Sequence, residues 1–199
     1  MSLFKYFADE AYARAFIRRG VMRFGSLASY RGIEDGGVRG DPKDGTLHYQ
    51  PPGGLEITMV ADGRKLTGVS FTTAAENMFV FCVSNEMSAE RAKDFGAYCV
   101  EILDPDALLR RVRARASAGS KLDYAQAHMG AVEYRPLDQI PAADWALPER
   151  VVLIKPPKYA GQNETRIVLP LKPDAGSSDA SILVPVGNLE AITKLHLLG

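Results

Sequence analysis

Short strand-like runs separated by turn residues constrain the fold of this chain more than any other feature of its sequence. β-Branched and aromatic residues concentrate in runs of strand length, and four segments carry helix signals, beginning after Asp9, Ser88, Asp104 and Asn188. Strands and helices that do not alternate regularly are typical of an α+β fold. We therefore predict mixed, mostly antiparallel sheets with flanking helices. The predicted strands are residues 3–7, 21–27, 55–60, 65–72, 78–84, 98–103, 132–134, 165–171 and 181–186.

Length and charge restrict the possible functions. A chain of 199 residues suffices for one hydrophobic core, so we predict a single domain over residues 1–199. Basic and acidic residues number 24 each, and this balance argues against non-specific binding to nucleic acid or to an acidic membrane. The N-terminal segment lacks the pattern of a signal peptide, and no apolar run approaches the length of a membrane span. These features predict a soluble, cytoplasmic protein with no membrane partner.

The two cysteines are predicted to be structural. Cys82 and Cys99 lie in apolar, strand-like contexts, where a free thiol behaves as a small buried hydrophobe. The sequence does not exclude a disulfide between them, although the chain does not resemble a secreted protein. Neither cysteine has a neighbouring basic residue or helix start that would lower its pKa, so we do not expect a cysteine nucleophile.

Residues 158–170 form the most informative segment. Its sequence predicts a loop with Tyr159 at the tip, followed by Gln162 and Glu164 as a β-branched strand begins. Residues two apart in a strand project from the same face. We therefore expect the amide and the carboxylate to face one cleft.

This segment resembles the Gln-x-Glu motif of bacterial mono-ADP-ribosyltransferases, most closely that of the Rho-modifying exoenzymes. The resemblance implies an ADP-ribosyltransferase-like fold, NAD as a substrate and an unknown macromolecular acceptor. Glu164 would hold the nicotinamide-ribose hydroxyls and stabilise an oxocarbenium-like transition state, and Gln162 would orient the acceptor. Tyr159 and Arg166 would contact the acceptor. Such a protein could be a toxin or act in phage defence.

The strand–helix–strand opening is similar to the front end of the same superfamily. The first strand there carries an Arg or His that anchors NAD, whereas residues 3–7 here contain Lys5 and no Arg or His. Arg23, one strand later, is the alternative anchor. The superfamily's central Ser-Thr-Ser corresponds either to residues 70–73 or to residues 82–84. The residues that the resemblance assigns to NAD binding are Lys5, Tyr6, Arg23, Arg39 and Ser84.

The whole chain also resembles an uncharacterised bacterial domain family of unknown function. Its members share a Tyr-rich first strand, an early loop with Asp-Pro, a Phe-Cys-x-Ser strand and a terminal Glu-x-Glu-x-Arg. The matching positions here are residues 4–7, 39–42, 81–84 and 162–166. This likeness covers more of the chain than the first, but it implies no activity.

Other readings of the same residues remain open. Glu164 could start a solvated strand and pair with Arg166 or Lys158, and Tyr159 could be a packed loop anchor. The protein could be a non-catalytic binding module that lost the NAD anchor. The loop over residues 30–54 could serve a metal-dependent phosphoesterase, although its acids lack the spacing of a calcium loop and we predict no metal site. The acids of that loop are Glu34, Asp35, Asp41 and Asp44.

Overall fold

The computed structural model of the chain describes residues 1–33, 40–115, 120–173, 175–176 and 179–198. These residues form an α+β domain with one mostly antiparallel, eight-stranded sheet and three two-stranded sheets. The helices are α1 (Glu10–Arg19), α2 (Leu27–Arg31), α3 (Ala89–Phe95), α4 (Pro105–Arg113) and α5 (Pro148–Val151). Single 3₁₀ turns cover Tyr124–Gln126, Ala143–Ala146, Pro157–Gln162 and Glu190–Ile192. The strands are β1 (Leu3–Phe7), β2 (Val21–Ser26), β3 (Thr46–Tyr49), β4 (Leu55–Thr58), β5 (Lys65–Val69), β6 (Phe71–Ala74), β7 (Met78–Ser84), β8 (Tyr98–Ile102), β9 (His128–Ala131), β10 (Glu133–Tyr134), β11 (Ile154–Lys155), β12 (Glu164–Pro170), β13 (Ser181–Pro185) and β14 (Thr193–Leu197).

Strand β7 lies at the centre of the large sheet. One of its edges pairs with β12 along the whole strand, and β9 follows outside β12. The other edge is shared, because β2 pairs near the start of β7 and β1 pairs at Ser84. From there the sheet continues through β2 to β13 on one branch and through β1 and β8 to β14 on the other. The sheet therefore forks at β7.

Two hydrophobic cores cover the two faces of this sheet. The first core packs α1 and α4 against Phe81 and Ile167, and the second packs α5 and its neighbours against Val80 and Val168. Because side chains alternate along a strand, β7 and β12 contribute to both cores. Burying each such side chain contributes about 1.5–3 kcal/mol, which makes these two strands the most strongly anchored in the sheet.

The helix boundaries follow their local signals, as predicted. Asp9 accepts a hydrogen bond from the backbone N–H of Ala11, and α1 ends at Gly20, which adopts φ 60°. A side chain at Gly20 would collide with the backbone of Gly187, since its Cβ would lie 2.1 Å from the carbonyl oxygen. Ser88 and Asp104 cap α3 and α4 in the same way as Asp9 caps α1.

The predicted C-terminal helix is wrong. Asn188 Oδ1 accepts from the backbone N–H of Glu190, but this bond closes only a short turn before β14 begins at Thr193. Strand β14 pairs with β8 over its full length, and Leu195 packs on the first core. The unpaired edge of β8 requires a partner, and this long-range pairing overrides the local helical spacing.

The predicted long loop over residues 30–54 also contains regular structure. Strand β3 pairs with β6, and the run predicted as one strand over residues 65–72 is divided between β5 and β6. The predicted hairpin across Asp62-Gly63 is confirmed, with β4 and β5 paired and Gly63 at φ 72°. Among the described helices, none is long and apolar enough to cross a membrane.

Candidate functional site

Three strands bring the sequence motifs together at one end of the sheet. Strands β1, β7 and β12 are neighbours, and their register places Phe4 opposite Ser84 and Ser84 opposite Glu164. Residues directly opposite each other in antiparallel strands project from the same face. The first strand, the Phe-Cys-x-Ser strand and the start of the Gln-x-Glu strand therefore form one row across the sheet.

Gln162 and Glu164 meet at a lysine that the sequence did not indicate. Gln162 ends a 3₁₀ turn and Asn163 adopts the left-handed conformation at φ 43°, so the pair does not lie within one strand as predicted. Lys155 Nζ nevertheless donates to Gln162 Oε1 at 2.8 Å and to Glu164 Oε2 at 2.7 Å. The two predicted catalytic side chains thus converge on one ammonium group, that of the buried Lys155.

Arg166 is fully buried directly beneath Glu164. Its Nε donates to Glu164 Oε1 at 2.7 Å, and its two terminal nitrogens bind both carboxylate oxygens of Asp44 at 2.8 Å. The carbonyl oxygen of Val152 accepts a further bond at 2.6 Å. We call Asp44, Lys155, Glu164 and Arg166 the charge quartet. Its two acids and two bases balance each other inside the protein.

Three members of the quartet, Glu164, Arg166 and Lys155, keep their charges at neutral pH. Burial alone would raise the pKa of Glu164, but the ion pairs with Arg166 and Lys155 outweigh it and hold that pKa well below its usual range. Burial would lower the pKa of Arg166, whereas Asp44 and Glu164 raise it further above its ordinary value. Burial would lower the pKa of Lys155, but Glu164 and Asp44 together with Cys82 outweigh it and raise that pKa. Glu164 is therefore a carboxylate and Lys155 an ammonium.

A shallow pocket of about 240 Å³ opens beside this site. Arg91 and Phe95 of α3 form one wall, and Tyr159 and Gln162 form the other. Arg91 joins the two walls to the sheet, since it donates to Ser84 Oγ and to the carbonyl oxygen of Gly161, each at 2.9 Å. This arginine fixes the turn before Glu164 and was not identified from the sequence.

Tyr159 is a packed loop anchor that also lines the pocket. Its side chain is 4% exposed, and its hydroxyl donates to the carbonyl oxygen of Gly40 at 3.1 Å. Lys158 lies over the ring at 4.7 Å from its centroid. Neither Tyr159 nor the fully buried Arg166 presents a large surface to an acceptor in this conformation.

The residues assigned to NAD binding do not all lie together. Tyr6 is close to the pocket, because its hydroxyl accepts from the backbone N–H of Ser88 at the start of α3. Lys5 faces the opposite side of the sheet from Glu164, where its Nζ lies 4.6 Å from the centroid of Phe81. The same nitrogen donates to the carbonyl oxygen of Cys82 at 2.8 Å.

The arginine predicted as the alternative NAD anchor, Arg23, is not part of the site. Arg23 donates to Ser181 Oγ at 3.1 Å on the distant β2–β13 branch of the sheet. Arg39 lies outside the described residues. The structure therefore brings together Tyr6, Ser84, Tyr159, Gln162, Glu164 and Arg166, and it places Lys5 and Arg23 elsewhere.

The two described acids of the loop over residues 30–54, Asp41 and Asp44, accept hydrogen bonds from within the protein. Asp44 is bound by Arg166, and Asp41 Oδ1 accepts from the backbone N–H of Lys43. Glu34 and Asp35 lie outside the described residues. Within the part of the chain that the structure describes, no three His, Cys, Asp or Glu side chains are placed to hold a metal ion.

Both cysteines carry free thiols. Burial and the nearby Glu164 raise the pKa of Cys82 to about 12, and burial raises the pKa of Cys99 to about 11. A thiol with such a pKa is protonated at neutral pH, and only the thiolate is a strong nucleophile. The expectation of inert cysteines thus agrees with their surroundings.

Comparisons of this chain with known proteins found no matching family model, no matching curated protein and no matching solved structure.

Proposed function

We propose that this protein is an NAD-dependent mono-ADP-ribosyltransferase-like enzyme that transfers ADP-ribose to a macromolecular acceptor. One observation carries the proposal: the row formed by Phe4, Ser84 and Glu164 across three neighbouring strands. The resemblance concerns the first strand and the strand that begins at Glu164, and residues 82–84 on the third strand are one of its two candidate matches to the central Ser-Thr-Ser. The adjacency of the three strands in the sheet supports the proposal.

The proposed chemistry needs a fixed carboxylate beside the reacting ribose. The bond between ribose C1′ and the nicotinamide ring nitrogen breaks, its electron pair stays on that nitrogen, and neutral nicotinamide leaves. The positive charge that develops on the ribose is stabilised by the ionised Glu164. An acceptor nucleophile then attacks C1′ and loses a proton, and water takes this place when no acceptor is bound.

The pocket between α3 and the Pro157–Gln162 turn supports a ligand at this position. Aromatic side chains, Phe95 and Tyr159, contribute to both walls, and the Gln162 amide is at its edge. Charged side chains, Glu90, Arg91, Asp94 and Lys158, line the rest of the pocket, so it offers both ring contacts and polar groups to a small molecule. We assign the nicotinamide end of NAD to this region, with the ribose towards Gln162 and the buried Glu164 behind that residue.

The test is nicotinamide release from NAD by the wild-type protein, Glu164→Gln and Glu164→Asp. We expect Glu164→Gln to lower the rate by about 100-fold or more, the usual effect of removing one transition-state group. Because Glu164→Gln also unbalances the charge quartet, its folding must be checked by circular dichroism. Glu164→Asp retains the charge and retracts the carboxylate by one methylene, so we expect a folded protein with a reduced rate.

Glu133→Gln is the matched control for this test. It removes an exposed carboxylate of β10 that pairs with Arg135, the residue after that strand. We expect its rate to equal that of the wild type. A folded Glu164→Gln protein with full NAD turnover would contradict the catalytic role of Glu164.

A non-catalytic binding module is the second candidate, and one observation favours it. Glu164 is 5% exposed, and each of its carboxylate oxygens accepts a hydrogen bond from a buried cation. In this reading the quartet is purely structural and the pocket holds a ligand without reaction. It predicts neither nicotinamide release nor stabilisation by NAD, whereas a ligand at 100 times its Kd adds about 2.7 kcal/mol to the free energy of unfolding.

A further inference from the structure

Lys155 reaches the candidate site from a separate piece of structure. It lies on β11, which pairs in parallel with β10 and places Lys155 beside Tyr134. The Tyr134 hydroxyl accepts a hydrogen bond from the backbone N–H of Glu164 at 2.8 Å. This two-stranded sheet therefore holds Glu164 through both its backbone and its side chain.

The position of the lysine is itself well fixed. Its side chain is 4% exposed, and its Nζ lies 5.5 Å from the centroid of the Tyr159 ring. The stretch before it is apolar and the residues after it are Pro156 and Pro157, which restrict the backbone. The ammonium group therefore has little freedom to move away from Gln162 and Glu164.

We propose that Lys155 is a positioning residue that sets the orientation of Gln162 and Glu164 together. This inference rests on the proposed function, in which those two side chains act on NAD and the acceptor. Lys155 itself does not contact the reacting atoms. It acts through the two hydrogen bonds of 2.8 Å and 2.7 Å that its ammonium donates.

The chemistry of the ammonium group determines which atom of the Gln162 amide faces Lys155. An ammonium group only donates hydrogen bonds, so Gln162 must present its Oε1 to Lys155. The amide nitrogen of Gln162 then points away from the lysine. A neutral side chain at position 155 would remove this constraint and allow both orientations of the amide. A role limited to charge balance would not depend on which way Gln162 points.

The experiment compares wild type, Lys155→Met and Gln162→Ala in nicotinamide release from NAD. We expect Lys155→Met to lower kcat about tenfold or more, because displacing catalytic groups is costly. KM should change little, since the lysine lies behind the pair rather than in the pocket. The double variant Lys155→Met/Gln162→Ala should be no slower than the slower single variant. Independent, multiplicative effects would contradict the proposal.

A second measurement does not depend on activity. The side-chain amide signals of Gln162, identified by their loss in Gln162→Ala, are followed by ¹⁵N NMR. We expect Lys155→Met to shift these signals towards those of a solvated glutamine. The exposed Lys121→Met is the matched control and should leave them in place. Unchanged Gln162 signals in Lys155→Met would overturn the positioning role.

The two readouts separate this proposal from the proposed function. Shifted Gln162 signals in a protein without NAD turnover would support the positioning and contradict the enzyme. Normal turnover in Lys155→Met would support the enzyme and contradict the positioning. If Lys155→Met does not fold, Lys155→Arg is used instead, since it keeps the charge and changes only the geometry of the donors. We expect it to shift the Gln162 signals and to lower kcat.

Discussion

The four side chains of the charge quartet show how close partners offset the desolvation free energy of buried charges. Taking one charge out of water costs several kcal/mol, and only close partners recover this energy. Arg166 meets that condition, with a bidentate contact to Asp44 and a third bond to Glu164. Removing one partner from a buried pair costs about 3–5 kcal/mol. Glu164 is therefore important for stability, whatever its role in catalysis.

Acid should weaken the fold through Glu164. A carboxyl whose pKa is lowered in the folded state contributes stability above its unfolded pKa, about 4.3, and loses it as the pH falls towards the folded value. We expect the free energy of unfolding, measured with urea, to fall between pH 5 and pH 3. The part due to Glu164 should be at least about 1.4 kcal/mol, the equivalent of one pKa unit.

The variant Glu164→Gln isolates the contribution of Glu164 to this loss of unfolding free energy at low pH. The variant has no carboxyl at this position, so its stability should approach that of the wild type as the pH falls. A difference in unfolding free energy that stays constant from pH 7 to pH 3 would contradict this account. Glu133→Gln, which changes an exposed carboxylate, should follow the wild-type pH profile throughout.

Part of the candidate site could be predicted from its residues and part could not. The pairing of Glu164 with Arg166 was expected as an alternative, because the two are neighbours on one strand face. Their burial was not expected, since it depends on Asp44, 122 residues away from Arg166, and on Lys155 from another sheet. The lone lysine at the end of an apolar run was the available signal for a buried, paired cation.

At the scale of single elements, the turn before β12 depends on Asn163. This residue is the only described non-glycine at positive φ, at 43°. Its side-chain oxygen accepts from Asn85 Nδ2 at 3.0 Å, and its carbonyl oxygen accepts from the Asn85 backbone at 2.8 Å. Asparagine tolerates this conformation better than most residues. The local fold thus turns Gln162 and Glu164 towards Lys155.

Two substitutions at Asn163 should separate the effect of its left-handed conformation on stability from the effect of its side-chain hydrogen bonding. We expect Asn163→Gly to lose only the side-chain bonds to Asn85 and Glu86, at about 0.5–1.5 kcal/mol each. Asn163→Val should cost about 1–2 kcal/mol more, because a β-branched residue is strained at positive φ. Urea unfolding of both variants measures this difference. Equal stabilities of the two variants would show that the left-handed conformation is not required.

Elements with local signals were predicted well, and elements that depend on distant partners were not. Asp9, Ser88 and Asp104 cap their helices through bonds to residues two or three positions away, so sequence alone located those helices. Strand β14 forms because β8 offers an edge far away in the sequence. Helical spacing near Leu195 could not reveal that partner.

At the scale of the whole molecule, the described chain is organised around β7 and β12 with one core on each face. The hairpin formed by β4 and β5 belongs to neither core. Most of its side chains are exposed, and Val60 near its tip is completely so. A two-stranded hairpin alone is marginally stable in water. We therefore expect this hairpin to contribute little to the stability of the domain or to the candidate site.

Replacing residues 55–69 by two glycines tests whether the β4–β5 hairpin contributes to the stability of the domain. Leu55 and Val69 face each other across the hairpin, so a short linker can join the ends. We expect the free energy of unfolding to change by about 1 kcal/mol or less, the usual effect of changes outside the core. Phe81→Ala, which creates a cavity in the first core, should cost about 3–5 kcal/mol. Two results would contradict this expectation: unfolding of the shortened protein without a cooperative transition, or loss of the nicotinamide release shown by the full chain. Either result would place the hairpin within the functional unit and require a second contact surface for the substrate.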